Sequence, residues 1–248
     1  MTSTVPASLT RTAEGATLQA VFLDMDGTLV DTEGSWWDAE VSVFADLGHR
    51  LDEEWREVVV GGPMTRSAGY LIEATGADIT LPELTVLLND RFEQHIGQGV
   101  ALMPGAARLL AELAAHEVPT ALVSASHRRI IERVLDSVGR DHFALTVAGD
   151  EVTRTKPHPE PYLAAAAGFG VDPGRCAVIE DTATGVAAAE AAGCRVVAVP
   201  SVAPIAPAPG RRIVESLEEV DLAFLRGLVT KRIDSAIRSG SVNKWRKN

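Results

Sequence analysis

Cysteine is nearly absent from this chain of 248 residues, which holds two, Cys176 and Cys194. A secreted scaffold stapled by disulfides needs more. Both open predicted strands, where small buried thiols are expected. Long apolar runs are also missing: no stretch of eighteen apolar residues occurs, so no membrane-spanning helix is expected. The opening MTSTVPASLTRTAEGAT lacks the apolar centre of a secretory signal. These absences point to a cytoplasmic protein with a flexible leader over residues 1–17. Basic charge is in deficit. A net charge of −11 argues against general nucleic-acid partners and against an anionic membrane surface. The cations that exist gather at the end. Residues 228–248 carry six basic residues and one acid, about +5, which leaves about −16 for the rest. A solvated or partly disordered basic tail over residues 229–248 is expected.

Hydrophobic residues are plentiful at 46%, enough for a sizeable core, and the length suits one large domain or a core with a modest insert. Leu18–Leu23 reads as a short buried strand that stops at Asp24 and Gly27. Helical patterns follow at Trp36–Leu47, Met64–Ala74 and Pro82–Ile96, with a weak strand signal only at Val58–Val60. From Pro104 the rhythm changes. Helices at Gly105–Ala115, His127–Val138, Tyr162–Phe169 and Gly185–Ala192 alternate with strands at Pro119–Val123, Cys176–Ile179 and Arg195–Val199 and an apolar segment at Phe143–Ala148. Ser201–Gly210 reads as a loop. Alternation of this kind means parallel strands with right-handed crossovers. The fold class is therefore α/β: a three-layer, Rossmann-like parallel sheet core (residues 18–33 and 101–228) with an all-helical insert (34–100) placed where a lid belongs. No internal repeat is present.

Such sheets present ligands at the carboxyl ends of their strands. Asp24 and Asp26 follow the first strand, Ser124 follows ALV, Lys156 sits in TRTKPHP, and Glu180 and Asp181 end AVI. Carboxylates from distant segments invite a hard cation such as Mg²⁺. A lysine, a hydroxyl and a helix start beside them suit phosphate oxygens. One carboxylate can attack phosphorus, and a second can pass a proton to the leaving alcohol. Gly27 lets the chain turn sharply. Taken singly, each feature has a plainer reading: an Asp-Gly turn, a helix cap at Ser124, a solvated lysine. Thr182 and Thr184 read as caps of the next helix.

At these positions the chain resembles the haloacid dehalogenase-like hydrolase superfamily. DMDGTLVDTE is similar to its first motif, D-x-D-x-T; Ser124 in LVSAS to the second; Lys156 in TKPHP to the third; and Glu180–Asp181 in VIEDTATG to the fourth. The resemblance implies Asp24 as nucleophile and Mg²⁺ ligand, and Asp26 as acid/base and, through its carbonyl, a second ligand. Asp181 would be the third ligand. Thr28, Ser124, Ala125 and Lys156 would serve the phosphate, and Glu180 would stand behind them. The presence of Asp26 favours phosphatase or mutase chemistry within that family.

The insert resembles the family's helical cap, whose residues choose the substrate; Trp36, Trp37 and Arg66 are candidates here. The expected activity is Mg²⁺-dependent hydrolysis of a small phosphate ester, such as a sugar phosphate, by a monomer. Two alternatives stand beside it. One is a β-phosphoglucomutase-like mutase, whose cap histidine, serine-motif lysine and cap arginine fall at Trp36, His127 and Thr65 of this chain. The other is a non-catalytic phosphate-binding module.

Overall fold

The computed structural model describes residues 17–59 and 64–238; the side chains at 57, 58, 64, 65, 98 and 231–238 are not described. Six strands form one parallel sheet: β1 (Ala20–Leu23), β2 (Thr120–Val123), β3 (Leu145–Val147), β4 (Cys176–Glu180), β5 (Arg195–Ala198) and β6 (Arg211–Ile213), in the order β3-β2-β1-β4-β5-β6. Alternate residues of β1 serve opposite faces, as the pleat requires. Val21 and Leu23 pack into a layer with Leu109, Leu110, Ile130 and Val134. Ala20 and Phe22 pack into the other layer with Tyr162, Ala165, Val186 and Ala189. The helices behind these layers are α5 (Ala106–Ala115) and α6 (Arg128–Val138) on the first face and α7 (Glu160–Phe169) and α8 (Ala183–Ala191) on the second. The three-layer α/β core is therefore present. Cys176 and Cys194 are free and buried within it.

Between β1 and α5 the chain leaves the sheet for α1 (Glu33–Asp46), α2 (Glu53–Val59), α3 (Met64–Thr75) and α4 (Leu81–His95). These helices share a core of their own, including Trp37, Phe44, Leu71, Leu84 and Leu88. Helix α4 starts where the sequence sets a capping box, with Thr80 and Glu83 bonding to each other's backbone N–H. The strands leading out of and back into the sheet are tied together by Asp31 N–H to Ala101 O and Met103 N–H to Leu29 O, both 2.9 Å. The insert also touches the sheet domain through ion pairs: Arg133 meets Glu93 at 2.8 Å, and Arg129 meets Asp90 and Glu93. These groups are partly exposed, so each pair contributes little.

Two expectations need correction, and one strand goes unpredicted. The β-branched run at Val58–Val60 is not a strand at Val58 and Val59, which end helix α2, because the buried Val59 side chain packs into the insert's own core, where the described residues offer no sheet edge; Val60 lies outside the described residues. Strand β6 follows the Ser201–Gly210 loop, and its three residues, Arg-Arg-Ile, are too short and polar to show a pattern. A ninth helix, α9 (Leu222–Arg238), takes in the first half of the segment expected as a tail. Leu222, Leu225 and Val229 are buried at helical spacing and pull it onto the sheet domain. Residues 1–16 of the expected leader, and 239–248, fall outside the described residues.

Because Leu225 is fully buried, Leu225→Ala is expected to cost about 2–5 kcal/mol in urea unfolding. A loss below about 0.5 kcal/mol would show that α9 is not part of the core.

Candidate active site

Strand β1 ends on Leu23, and the next residues alternate. Met25 is fully buried in the apolar layer, while Asp24 and Asp26, on either side of it, face a cavity of about 140 Å³. Placing two acids around one core residue thus gives the strand end a buried anchor and two carboxylates aimed the same way. Asp24 N–H bonds to Ile179 O of the neighbouring β4 at 3.1 Å, which sets it beside Glu180 and Asp181. In this strand order the switch point, where successive crossovers diverge, lies at β1, so the cavity lies where open parallel sheets bind ligands.

Lys156 reaches in from the loop before α7 and is 5% exposed. Its ammonium donates to Asp24 Oδ1 and Glu180 Oε1, both at 2.6 Å, and to Val123 O at 2.8 Å, so its three donors are satisfied. Tyr162 donates its hydroxyl to the same Glu180 oxygen, and the ammonium lies 5.1 Å from the Tyr162 ring centre. Burial alone would lower the lysine pKa, but Asp24 and Glu180 outweigh it and hold the group above its ordinary value. Lys156 is therefore a fixed cation. Gly185 is needed opposite: a β-carbon there would collide with the Glu180 carboxylate.

Asp26 collects four donors. Thr32 Oγ1 (2.8 Å) and Trp36 Nε1 (3.3 Å) bond to Oδ1; Ser126 Oγ (2.8 Å) and Ser124 Oγ (3.3 Å) bond to Oδ2. Thr32 and Trp36 belong to the start of the insert, and the serines belong to the loop after β2. Thr32 is the N-cap of α1, yet its side chain makes no capping bond, since its hydroxyl is turned to Asp26. Burial and the Asp24 charge raise the Asp26 pKa, and the hydrogen bonds from Thr32, Ser126 and Trp36 oppose the rise. That environment suits a carboxyl that must both give and take a proton.

Asp181 is 2% exposed and receives Thr28 Oγ1 at 3.3 Å and Ser201 Oγ at 2.5 Å. Gly27, at φ +73°, lies so close that a β-carbon would run into the Asp181 carboxylate. Burial, followed by Asp24 and Glu180, pushes Asp181 well above the ordinary carboxylate range. Oxygens of Asp24, Glu180 and Asp181 lie within 4.8 Å of one another. Lys156 takes up one oxygen each of Asp24 and Glu180, so Asp181 and the second oxygen of Asp24 are left without a cation. A cluster of hard oxygen donors with one cation among three buried carboxylates and the half-buried Asp26 fits a divalent metal ion.

The sequence-derived residues divide as follows. Asp24, Asp26, Ser124, Ala125, Lys156, Asp181, Trp36 and Trp37 line the cavity. Trp36 also stacks on Phe92 at 3.8 Å between ring centres. Glu180 stands behind Lys156. Thr28, expected at the phosphate, is buried with its hydroxyl on Asp181. Arg66 is exposed and absent from the cavity wall; its neighbour Ser67 lines it instead. Thr182 caps α8, accepting from Gly185 N–H at 3.1 Å, while Thr184 lies inside the helix and lines the cavity. The Thr65 side chain lies outside the described residues. Reading the sequence missed Thr32, Ser126, Tyr162 and Ser201, and on the insert side Glu33, Glu40, Ser67 and Asn89. Ser126 had a signal, as the second hydroxyl in SAS; Glu33 and Glu40 lie seven apart, two helical turns on one face.

A parallel α/β sheet with an acid pair, a fixed cation and a second carboxylate at its strand ends defines a class of enzyme that handles phosphoryl groups. Comparison with known proteins agrees. The family model described as haloacid dehalogenase-like hydrolase matches residues 18–193. The bifunctional riboflavin kinase/FMN phosphatase of Arabidopsis thaliana is 34% identical over 183 residues, covering 73% of this chain, which in turn spans only 48% of that protein. Protein CbbY of Rhodobacter capsulatus is 32% identical over 195 residues, covering 74% of this chain and 86% of its own. Among solved structures, CbbY of Rhodobacter sphaeroides with xylulose-(1,5)-bisphosphate superposes with a TM-score of 0.75 at 26% identity, over 84% of this chain and 99% of that one. The chain belongs to the haloacid dehalogenase-like hydrolases, and it is a phosphatase-type enzyme of that family.

Two acids of the insert give a pH prediction. Burial pushes Glu40 up to about 8, helped by Glu33. Burial, Asp26 and Asp24 push Glu33 up to about 7. A folded-state pKa above the unfolded value contributes stability at low pH that is lost as pH rises through the folded pKa. Relative to Glu40→Gln, the wild-type chain should therefore lose roughly 3–5 kcal/mol in denaturant titrations between pH about 4.5 and about 8. A flat difference across that window would place Glu40 in solvent.

Proposed function

We propose that the chain is a Mg²⁺-dependent phosphatase that hydrolyses a small phosphate ester, of the sugar phosphate class, through a phosphoryl group carried on Asp24. The supporting observation is that Asp24, Asp26, Ser124, Lys156 and Asp181, from four separate segments, line one cavity at the strand ends. In the first half-reaction a carboxylate oxygen of Asp24 forms a bond to phosphorus. The bond from phosphorus to the leaving oxygen breaks, and Asp26 gives that oxygen its proton. In the second, Asp26 takes a proton from water as the water oxygen bonds to phosphorus and the bond to Asp24 breaks, which restores the carboxylate and releases inorganic phosphate. Lys156 neutralises Asp24 before attack and then bears on the transferring group, with the Ser124 hydroxyl and the backbone at Ala125 beside it. Asp24 and Asp181, with the Asp26 carbonyl, would hold the metal, and a bound divalent ion supplies positive charge against the phosphoryl oxygens.

Thr28 and Ser201 position Asp181. Tyr162 and Glu180 position Lys156. The insert acts as the cap that closes over the site, and every group invoked comes from one chain, so a monomer in the cytoplasm suffices. The mutase reading ranks second, because Trp36 stands where the resembling mutase has a histidine and its indole N–H is committed to Asp26.

Release of phosphate from p-nitrophenyl phosphate tests this. Asp24→Asn should abolish turnover, Asp26→Asn should lower kcat by about 10²–10⁴-fold, and EDTA should remove activity that added Mg²⁺ restores. Near-full activity in Asp24→Asn would overturn the mechanism.

A further inference from the structure

The wall of the cavity facing away from Asp24 is furnished by the insert: Glu33, Trp36, Trp37 and Glu40 from α1, Ser67 from α3 and Asn89 from α4. Beside the two indole N–H groups, of which that of Trp36 is committed to Asp26, this wall offers mainly acceptors, since a carboxyl keeps an accepting oxygen whether or not it is protonated. Asn89 is 1% exposed, and its Nδ2 donates to Thr85 O at 2.8 Å. A carbonyl accepts only from a donor, so that bond fixes which end of the amide is which. Asn89 Oδ1 is then left buried with no partner. Glu40 is 7% exposed, and among the described residues no hydrogen bond or ion pair reaches its carboxyl. Ser67 donates its hydroxyl to Val59 O at 2.8 Å, which leaves its lone pairs to accept. A buried acceptor without a donor costs free energy, and a native fold retains such atoms where something else satisfies them.

Counter-charge for an anion is missing on the same wall. Among the described residues the only base lining the cavity is Lys156, whose donors are all engaged. Arg66 is exposed, the half-buried Arg56 pairs with Glu53 and bears on Glu33 from outside the cavity wall, and residues 57–65, EVVVGGPMT, contain no base. Whether Glu40 is ionised or protonated, it brings no positive charge. A second phosphate or a carboxylate on the substrate would therefore be desolvated against two acids.

We infer that Glu33, Glu40 and Asn89 form a specificity subsite that accepts hydrogen bonds from the leaving group, so that the substrate is a phosphomonoester whose leaving group carries hydroxyl or ammonium donors and no second anionic group. Trp36 and Trp37 cover the carbon chain between those donors. This rests on the phosphatase reading and narrows it. It also separates this chain from its CbbY neighbour, whose structure holds a bisphosphate.

Matched esters test it on the unaltered protein with Mg²⁺. Glucitol 6-phosphate should exceed 6-phosphogluconate, and fructose 6-phosphate should exceed fructose 1,6-bisphosphate, each by at least about tenfold in kcat/KM. Glucosamine 6-phosphate against glucose 6-phosphate separates the two donor types: a faster amine assigns an ammonium, and a slower or equal one assigns hydroxyls. Glu40→Gln and Asn89→Leu should raise KM for the preferred ester and lower its kcat/KM relative to p-nitrophenyl phosphate by about tenfold. Equal or better turnover of the carboxylate and bisphosphate members, with p-nitrophenyl phosphate still cleaved, overturns the inference alone. So does a ratio within twofold of wild type in both variants. No phosphate release from any ester, the aryl ester included, overturns the phosphatase reading and the inference together.

Discussion

A lysine ammonium held between two buried carboxylates organises this molecule. Lys156 bonds to Asp24 and Glu180 at equal distance and to the Val123 carbonyl. It thereby ties the ends of β1, β4 and β2 to the loop before α7. Charges this deep are tolerated only when paired and fully hydrogen-bonded. Removal of any one member would strand the others, so the loops hold one arrangement. The sheet order puts β1 between β2 and β4, which is why groups more than 130 residues apart in the chain meet within hydrogen-bond reach.

The second constraint couples the insert to the chemistry. Asp26 takes two donors from the sheet domain, Ser124 and Ser126, and two from the start of the insert, Thr32 and Trp36. The proposed proton carrier is thus completed only with α1 in place. The same helix carries Glu33 and Glu40 on the cavity wall. One element consequently supports both the proton transfer and the choice of leaving group, and the Trp36–Phe92 stack fastens it to α4.

Much of this was legible in the sequence because it depends on local chain geometry. A strand that stops at DMDG, a serine after ALV and an acid pair after AVI all sit where a parallel sheet ends its strands, so pattern and place agreed. Lys156 was legible from its stiff, proline-rich surroundings and from the family resemblance. What stayed hidden depends on tertiary partners. Thr28 was expected to steady the loop by hydrogen bonding as well as to serve the phosphate, but that its hydroxyl would meet Asp181 depends on the fold. Arg66 has the right charge for a substrate anchor, but α3 presents its neighbour Ser67 to the cavity. Glu40 and Asn89 read as ordinary polar positions on helices, since nothing local says that a helix face will be roofed by another domain. In the final segment the bases from Lys231 onward read as a solvated end, and the part of α9 beyond Leu228 was taken for a tail.

The claim that matters most is that a phosphoryl group travels on Asp24. Rapid acid quench during turnover, followed by borohydride reduction and peptide mass spectrometry, would convert an acyl phosphate there to homoserine at position 24. The account predicts homoserine at that position in the wild-type protein and none when substrate is omitted. Steady turnover with no modification at residue 24, or with phosphate found on Ser124 or Ser126, would contradict it.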